Sequence, residues 1–509
     1  MNFDHVITGG LVVDGTSSPA TPRDIGIKDG KITAIEPTGT LASCKMAPGA
    51  LVDAKGLVVT PGFIDIHTHS DATLFTTTNL NSKLRQGVTT DVTGSCSIGT
   101  APLSEQVIEK YRSWWRWVNR WHVEAGREWK ARPTWQDYTR AVADLPLKTN
   151  IAPLVGHGPI RTTVLSAEER AASSDEIRKM AALLEEAMEQ GAFGLSTGLT
   201  YRPGQHADRC EIVELLKVVA KFGGFHSSHI RGEDHRLGAA IDEIIETAKE
   251  ASPNLRAQVS HLKSSGKPNW GKAEAALSKI EKARAQGVDI RADVYPYVIT
   301  GTFPVPLVNI KQLASAEPDL VLVVVPGNAE SVSPGASVAE ISKNTGKSVD
   351  ETLEWLESYE VLCKSINLTE EDVSMIVAHP ITCIGSDTYA MNTTRVFSQT
   401  WLHPRNFGTY PRFLSHYTRD KALMPIETAI AKITSIPAEI AGISDRGTIA
   451  IGKSADITVL NWNRIKDNSS IAYPFAYPDG IKYVLVNGHI AVRNAEDTGV
   501  VAGRLLRKN

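Results

Sequence analysis

The sequence predicts an α/β protein: a (β/α)8 barrel of the TIM type beside a small β-sandwich domain built from both chain ends. Three observations lead there. Between about 58 and 440, eight short apolar runs end in polar or Gly-rich residues, and most are followed by apolar residues at helical spacing. The two chain ends share a different character, short β-type runs separated by turns. A stretch from about 300 to 365, with Pro304, Pro306, Pro326 and Gly327 and then a helical segment, is too long for a simple loop. It reads as an insertion between barrel strands seven and eight.

Residues 1–57 carry VITGGLVVDG and DIGIKDGKITAIEP, and Asp29-Gly30 is a strong two-residue hairpin signal. Residues 441–509 repeat the pattern. Ala455 to Leu460 is one strand, and Ile481 to Val492 is a hairpin turning at Asn487-Gly488. The barrel strands are, in order, GFIDIHTH, VTTDVTGSCS, IAPLVGHG, AFGLSTG, GFHSSHIRGE, RAQVSHLKSSG, VDIRADVYPY and ITCIGSDT. Ser173 to Gln190 and Leu237 to Ala251 carry apolar residues at helical spacing, with acidic and hydroxyl residues early, where helix starts prefer them. The tryptophan-rich run Tyr111 to Trp135 has two readings, an amphipathic cover packed on the barrel or a wall or lid of the active site.

Composition narrows the function. A chain of 509 residues, 42% hydrophobic and 22% charged with net charge -3, is an ordinary globular protein with length for a large core. Neither a basic surplus nor a long Lys/Arg run is present, so no nucleic acid and no anionic membrane is expected as partner. A small molecule is the expected partner, and an oligomer is compatible with everything above. The N-terminal MNFDHVITGG lacks the charged and apolar regions of a leader, and the longest apolar run, Leu320 to Val325, is too short for a bilayer. The expected location is cytoplasmic. Five cysteines, odd in number and widely spread, do not read as a disulfide framework.

The chemistry starts at TPGFIDIHTHSD. In an extended chain, residues two apart point to one side, so His67 and His69 aim at one point with Thr68 turned away. Cys96 ends strand two, His229 strand five, His261 strand six and Asp387 strand eight. Each alone has a bland reading as a turn residue, a satisfied polar group or a helix cap. All of them, however, lie where a barrel directs its catalytic groups. Imidazole and thiolate donors suit zinc with one position open to water.

At this point the sequence resembles the N-acyl-D-amino-acid deacylases (D-aminoacylases) of the amidohydrolase superfamily. The resemblance rests on PGFIDIHTHSD, GVTTDVTGSCSIG, LVGHGPIR, GLSTGLTYRPG, HSSHIRGE, VSHLK, IGSDT and HPRNFGTYPR, in that order, over nearly the whole chain. It implies a barrel of the amidohydrolase type, with His67 and His69 forming one metal position and His229 and His261 the other. Cys96 would bridge them or favour the tighter one, with one zinc bound tightly and a second weakly. Asp387 would be the general base, while Lys263, Tyr295 and Arg405 would hold the substrate carboxylate and orient the acyl group. His157 and Arg231 would orient ligands from behind. The fourth strand, AFGLSTG, has no lysine to bridge two metals, which favours the Cys96 thiolate as bridging donor.

The expected reaction is N-acyl-D-amino acid plus water giving carboxylate plus D-amino acid. The D preference follows from the resemblance alone. Two alternatives stand beside it: a cyclic amidase or an amidohydrolase acting on a bulky aromatic amide, and a non-catalytic scaffold keeping its metal for structure. His261-Leu262-Lys263 replaces the HHK of many relatives, and Thr388 follows Asp387 where relatives have Gly. Both changes fall on side-chain preference rather than on the metal set.

Overall fold

The computed structural model describes residues 2–508 except 45, 78, 167, 302–304, 326–331, 360 and 395–401. Five strands open the chain: β1 (His5–Val12), β2 (Thr21–Lys28), β3 (Lys31–Pro37), β4 (Leu51–Asp53) and β5 (Val58–Pro61). The β2–β3 hairpin turns at Asp29-Gly30, with φ of +51° and +73°. Both are left-handed, as a type I′ turn requires.

Parallel strands follow. β6 (Phe63–Asp65), β7 (Val88–Thr93) and β8 (Asn150–Pro153) form one set, β6-β7-β8. The chain then adds β9 (Val155–Gly156), β10 (Gly194–Gly198), β11 (Phe225–His229), β12 (Arg256–Val259) and β13 (Ile290–Val294). A separate antiparallel sheet, β14 (Val305–Pro306), β15 (Val321–Val325) and β16 (Leu362–Ser365), interrupts them in the order β14-β16-β15. It has its own core of Val323, Ile341, Leu353, Leu356 and Cys363. Within this stretch, 302–304, 326–331 and 360, including Pro304, Pro326 and Gly327, lie outside the described residues. β17 (Thr382–Ile384) then pairs with β13, completing the parallel order β9-β10-β11-β12-β13-β17. A parallel bridge between Thr68 and Thr388 links the segment following β6 to the segment following β17.

Helices Ser174–Glu189, Arg209–Lys221, Leu237–Ala251 and Ala273–Ala285 connect β9 to β13. The first opens on a reciprocal cap between Ser173 and Glu176, which satisfies backbone donors the helix itself cannot. Ile177, Met180 and Leu184 from it, and Ile241 and Ile244 from the third, enter the main core. Full burial of each such side chain contributes about 1.5–3 kcal/mol. In the tryptophan-rich run, Trp121, Trp129 and Trp135 are buried in the same core.

The chain ends on β18 (Ile457–Leu460), β19 (Ile481–Val486), β20 (His489–Arg493) and β21 (Glu496–Asp497). β18 pairs antiparallel with β5, Ile457 opposite Pro61 and Leu460 opposite Val58. Both chain ends thus share one nine-stranded sheet, β21-β20-β19-β18-β5-β1-β2-β3 with β4 beside β1. The N-terminal part of that sheet runs past residue 57 to Pro61. Among the described residues, no helix is long and apolar enough to cross a membrane.

Candidate metal centre

The HTH segment leaves β6 clamped on both sides by backbone hydrogen bonds. Thr68 N donates to Val92 O at 3.1 Å, His69 N to Thr388 O at 2.8 Å, and Asp387 N to His67 O at 2.9 Å. Thr68 turns its hydroxyl away to Val92 O. His69 Nε2 then lies 3.0 Å and His67 Nε2 3.5 Å from the same atom, Asp387 Oδ1. Cys96 Sγ is 3.2 Å from His67 Nε2 and 3.4 Å from His261 Nε2. His229 Nδ1 lies 2.8 Å from His261 Nε2.

All six residues expected to bind metal or act as base therefore meet at one place. Among the described residues, two groups offer donor atoms within 4.8 Å of one another: His67, Cys96, His261 and Asp387, and then His229, Glu233 and His261. His261 belongs to both. The grouping cuts across the division into a His67/His69 position and a His229/His261 position, because Cys96 and His261 sit between the histidines of the first strand and His229.

Three of the site residues are held in left-handed backbone. Cys96, His261 and Asp387 adopt φ of +54°, +36° and +52°, a conformation costing roughly 1–3 kcal/mol per non-Gly residue and clustering at functional sites. Close backbone approach is also needed. A Cβ at Gly385 would lie 2.6 Å from His67 Cβ and 2.8 Å from Asp293 Oδ1, so only glycine fits there.

Behind the candidate ligands stand two carboxylates that the sequence pattern did not single out. Both Asp293 oxygens lie 3.1 Å from His67 Nδ1, and Asp293 Oδ1 also accepts from His261 N at 3.0 Å. Donation from Nδ1 directs His67 Nε2 inward. Glu233 Oε1 is 2.6 Å from Lys263 Nζ and 3.0 Å from His261 Nδ1. These two occupy the position expected for His157 and Arg231. Instead, His157 Nε2 pairs with Glu211 at 2.6 Å and Arg231 with Glu243 at 2.9 Å. Among the described residues, neither makes a hydrogen bond or ion pair with a candidate metal ligand. Asp293 lies in the run VDIRADVYPY and Glu233 four residues past the end of β11 in HSSHIRGE, each near a strand end without being its last residue.

The three residues expected to contact substrate gather at Tyr295. Arg405 lies 4.2 Å over the Tyr295 ring and Lys263 Nζ 5.6 Å from its centre. Arg405 Nη2 is also 2.9 Å from Asp387 Oδ2. A cavity of about 490 Å³ opens over these groups, with Ile98, Trp115 and Tyr201 in its wall.

Electrostatics tests the donor set. Burial alone would raise the Cys96 thiol, but the neighbouring His67 and His261 draw it well below its ordinary range. Against the same burial, Asp293 and Cys96 push His67 well up. His261 rises to about 9, burial and Lys263 being outweighed by Glu233 and Cys96. Burial would raise Asp387, yet Arg405 and His69 hold it well below the usual carboxylate range. Anionic sulfur and carboxylate among imidazoles favour positive charge at their centre, and a divalent cation replaces the imidazolium protons there. Nitrogen, sulfur and oxygen donors in this number fit zinc.

These features define a hydrolase site built around a metal. Residues 50–296 and 368–492 match the amidohydrolase family, and the unmatched interval holds the inserted antiparallel sheet. A D-aminoacylase from Alcaligenes xylosoxydans xylosoxydans is 33% identical over 99% of this chain and 98% of its own. An N-acyl-D-glutamate deacylase from the same organism is 32% identical over 100% of this chain and 97% of its own. Among solved structures, a D-aminoacylase described by its binuclear metal centre matches with a TM-score of 0.81 and 32% identity, covering 99% of this chain and 100% of that one. The Bordetella bronchiseptica N-acyl-D-glutamate deacylase, complexed with zinc and a phosphonate mimic of the tetrahedral intermediate, matches with a TM-score of 0.81 and 29% identity over the whole of both chains. The chain belongs to the amidohydrolase family, among its N-acyl-D-amino-acid deacylases.

Proposed function

We propose that this protein is a zinc-dependent deacylase that converts an N-acyl-D-amino acid and water to a carboxylate and a D-amino acid. The convergence of His67, His69 and Arg405 on the two oxygens of Asp387, beside the Cys96 thiolate, carries the reading. His67, His69, Cys96, His229 and His261 would hold the metal, one zinc tightly and a second weakly. When bound, zinc lowers the pKa of water to about 7 and polarises the scissile carbonyl.

Asp387 has its two oxygens in different surroundings. Oδ2 faces Arg405, and Oδ1 faces His67 and His69. Oδ1 is thus the atom that takes a proton from water and returns it to the leaving amine. Arg405, with Lys263 and Tyr295, binds the substrate carboxylate, the guanidinium fork matching its planar oxygens. Asp293 holds the His67 ring, and Glu233 holds Lys263 and His261 in place. β10, with sequence GLSTG, has no lysine to offer a metal, so the Cys96 thiolate would supply the anionic donor shared by the histidines.

In the same reading, the eight parallel strand positions close as one (β/α)8 barrel, supported by the Thr68–Thr388 bridge. The nine-stranded sheet folds on itself as a sandwich around Ile7, Ile25, Ile32, Val59, Ile457 and Leu485. A cytoplasmic location agrees with five cysteines that form no disulfide.

The test is hydrolysis of matched N-acetyl-D- and N-acetyl-L-amino acids (Met, Phe, Leu, Glu, Asp) by the zinc-loaded protein and its Asp387→Asn variant. D-selective release of amine, lost in the variant, is the expected result. Turnover of neither enantiomer by a protein that holds its zinc overturns it.

A further inference from the structure

We propose that the cavity contains an aromatic subsite for the acyl group, formed by Trp115 and Tyr201 with Ile98, and that the enzyme prefers aromatic acyl groups over acetyl. The proposal rests on the deacylase reading above and concerns which acyl class that site takes.

Neighbouring groups run from Arg405, 4.2 Å over the Tyr295 ring, to His261, whose ring is 6.4 Å from Tyr295. His229 comes next, its ring 4.5 Å from His261. Beyond it lie Tyr201, 4.5 Å from the His229 ring, and Trp115, 5.7 Å from the Tyr201 ring and edge-on to it. Along this series of contacts, the candidate metal ligands His261 and His229 come between Tyr295 with Arg405 and Tyr201 with Trp115. In an N-acyl amino acid, the carboxylate and side chain lie on the nitrogen side of the scissile carbonyl, and the acyl chain lies on the other. With the carboxylate at Arg405 and Lys263 and the carbonyl beside the histidines, the acyl chain faces Tyr201 and Trp115.

The wall is held in place by the strand-two loop that carries Cys96. Tyr111 donates its hydroxyl to Gly99 O at 3.0 Å and accepts from Gly99 N at 3.3 Å. This fastens the helix Ile108–Trp114 to the segment three residues past Cys96. Trp115 follows Tyr111 by four positions, one turn on, with its backbone N–H bonded to Tyr111 O at 3.1 Å. That bond closes the last turn of the helix, so the anchoring of Tyr111 holds the Trp115 backbone near the same loop. Trp115 stands at the junction with the next helix, Arg116–Glu124, outside helical geometry at φ -107° and ψ 42°. Its ring thereby reaches the cavity wall, whereas Trp121 and Trp129 are buried in the core. An aromatic acyl group meets edge-to-face partners here that a methyl group cannot use.

The experiment measures kcat/KM for N-acetyl and N-phenylacetyl derivatives of D-Met and D-Leu, with wild type, Trp115→Ala and Trp115→Phe, all zinc-loaded. Wild type is expected to favour phenylacetyl over acetyl by about tenfold or more. Trp115→Ala is expected to bring that ratio toward one, and Trp115→Phe to restore most of it, with the D-Met to D-Leu ratio unmoved in all three. No phenylacetyl preference in wild type overturns the subsite. Equal loss on both acyl groups, or a change in side-chain preference instead, does so as well. Binding of phenylacetate and acetate to the same proteins, followed by calorimetry, separates the two readings. If no N-acyl-D-amino acid is cleaved but phenylacetate binds more tightly than acetate and loses that advantage in Trp115→Ala, the deacylase reading fails and the aromatic subsite stands. If phenylacetate has no advantage, the subsite fails.

Discussion

Arg405 Nη2 lies 2.9 Å from Asp387 Oδ2 while His69 Nε2 lies 3.0 Å from Asp387 Oδ1, so a cation and an imidazole divide the two oxygens of one buried carboxylate. Burial would raise Asp387, but Arg405 foremost holds it down. The proposed carboxylate clamp and the proposed base are thus electrostatically linked. A substrate carboxylate that engages Arg405 shares its positive charge, which lifts the proton affinity of Asp387 as substrate binds.

Arg405→Lys keeps a charge but loses the planar fork lying over Tyr295. KM is expected to rise by roughly tenfold or more, because lysine is a point charge and not a bidentate partner. Arg405→Gln removes the charge altogether. Asp387 then binds its proton more readily, and since the base must be unprotonated, the acid limb of kcat/KM moves to higher pH. Steady-state profiles, extended down to the lowest pH at which zinc stays bound, measure both effects; an unmoved acid limb in Arg405→Gln would show that the pairing does not govern Asp387.

Asp293→Asn tests the carboxylate behind His67. With both oxygens 3.1 Å from His67 Nδ1, Asp293 fixes the tautomer and orientation of that ring. Loss of such a partner typically costs 10–100-fold in metal affinity or activity. Zinc titration against a competing chelator is expected to show weaker binding in Asp293→Asn, with far-UV circular dichroism unchanged. Wild-type affinity in the variant would remove Asp293 from the metal's support.

The meeting of the candidate metal residues was legible in the sequence because neighbouring parallel strands bring their ends to one edge. His67, Cys96, His229, His261 and Asp387 each terminate an apolar run, and parallel strands bring such termini together however far apart they lie in the chain. Asp293 and Glu233 were not legible by that rule. Asp293 sits one residue inside the end of β13 and meets His67 through side-chain direction, which the strand pattern does not give. His157 and Arg231 illustrate the converse, polar residues near strand ends that turn toward Glu211 and Glu243. The hairpins at Asp29-Gly30 and Asn487-Gly488 were readable because left-handed backbone demands those residue types. The boundary near residue 57 was not, because the continuation from Val58–Pro61 to Phe63–Asp65 reads as one apolar run although Gly62 divides two sheets.

Asp91, buried on β7, gives a pH-dependent prediction for stability. Burial pushes its carboxyl up to about 7, with Lys83 opposing and Asp65 adding to the rise. An unfolded Asp titrates near 3.9. Between these values the folded state binds more protons than the unfolded one, so stability falls as pH rises from about 4 to about 7. Asp91→Asn keeps an oxygen for Thr149 Oγ1, which donates to Asp91 at 2.6 Å, and has no proton to lose. Its midpoint of thermal unfolding is expected to exceed that of wild type at pH 8 and to converge with it near pH 4. A difference independent of pH would assign the effect to packing.

Lys83 is fully buried, and its Nζ donates to Asp65 Oδ2 at 2.6 Å, to Thr388 Oγ1 at 2.7 Å and to Ser386 Oγ. Its three donors are matched by three acceptors. Ser386 N in turn donates to Asp65 Oδ1 at 2.9 Å. The cluster ties the strand that leads to His67 to both neighbours of Asp387, whose φ of +52° needs such support. Lys83→Met leaves the Asp65 charge buried without its partner, at a cost of roughly 3–5 kcal/mol. Replacing both members, in Lys83→Met with Asp65→Leu, removes the uncompensated charge and is expected to recover most of that loss. Stability and activity should nevertheless separate. Neither variant restrains Ser386 and Thr388 as lysine does, so kcat per folded, zinc-loaded molecule falls in both, whereas the urea midpoint falls far more in the single variant. A double variant with full wild-type kcat would show that the cluster serves the fold alone.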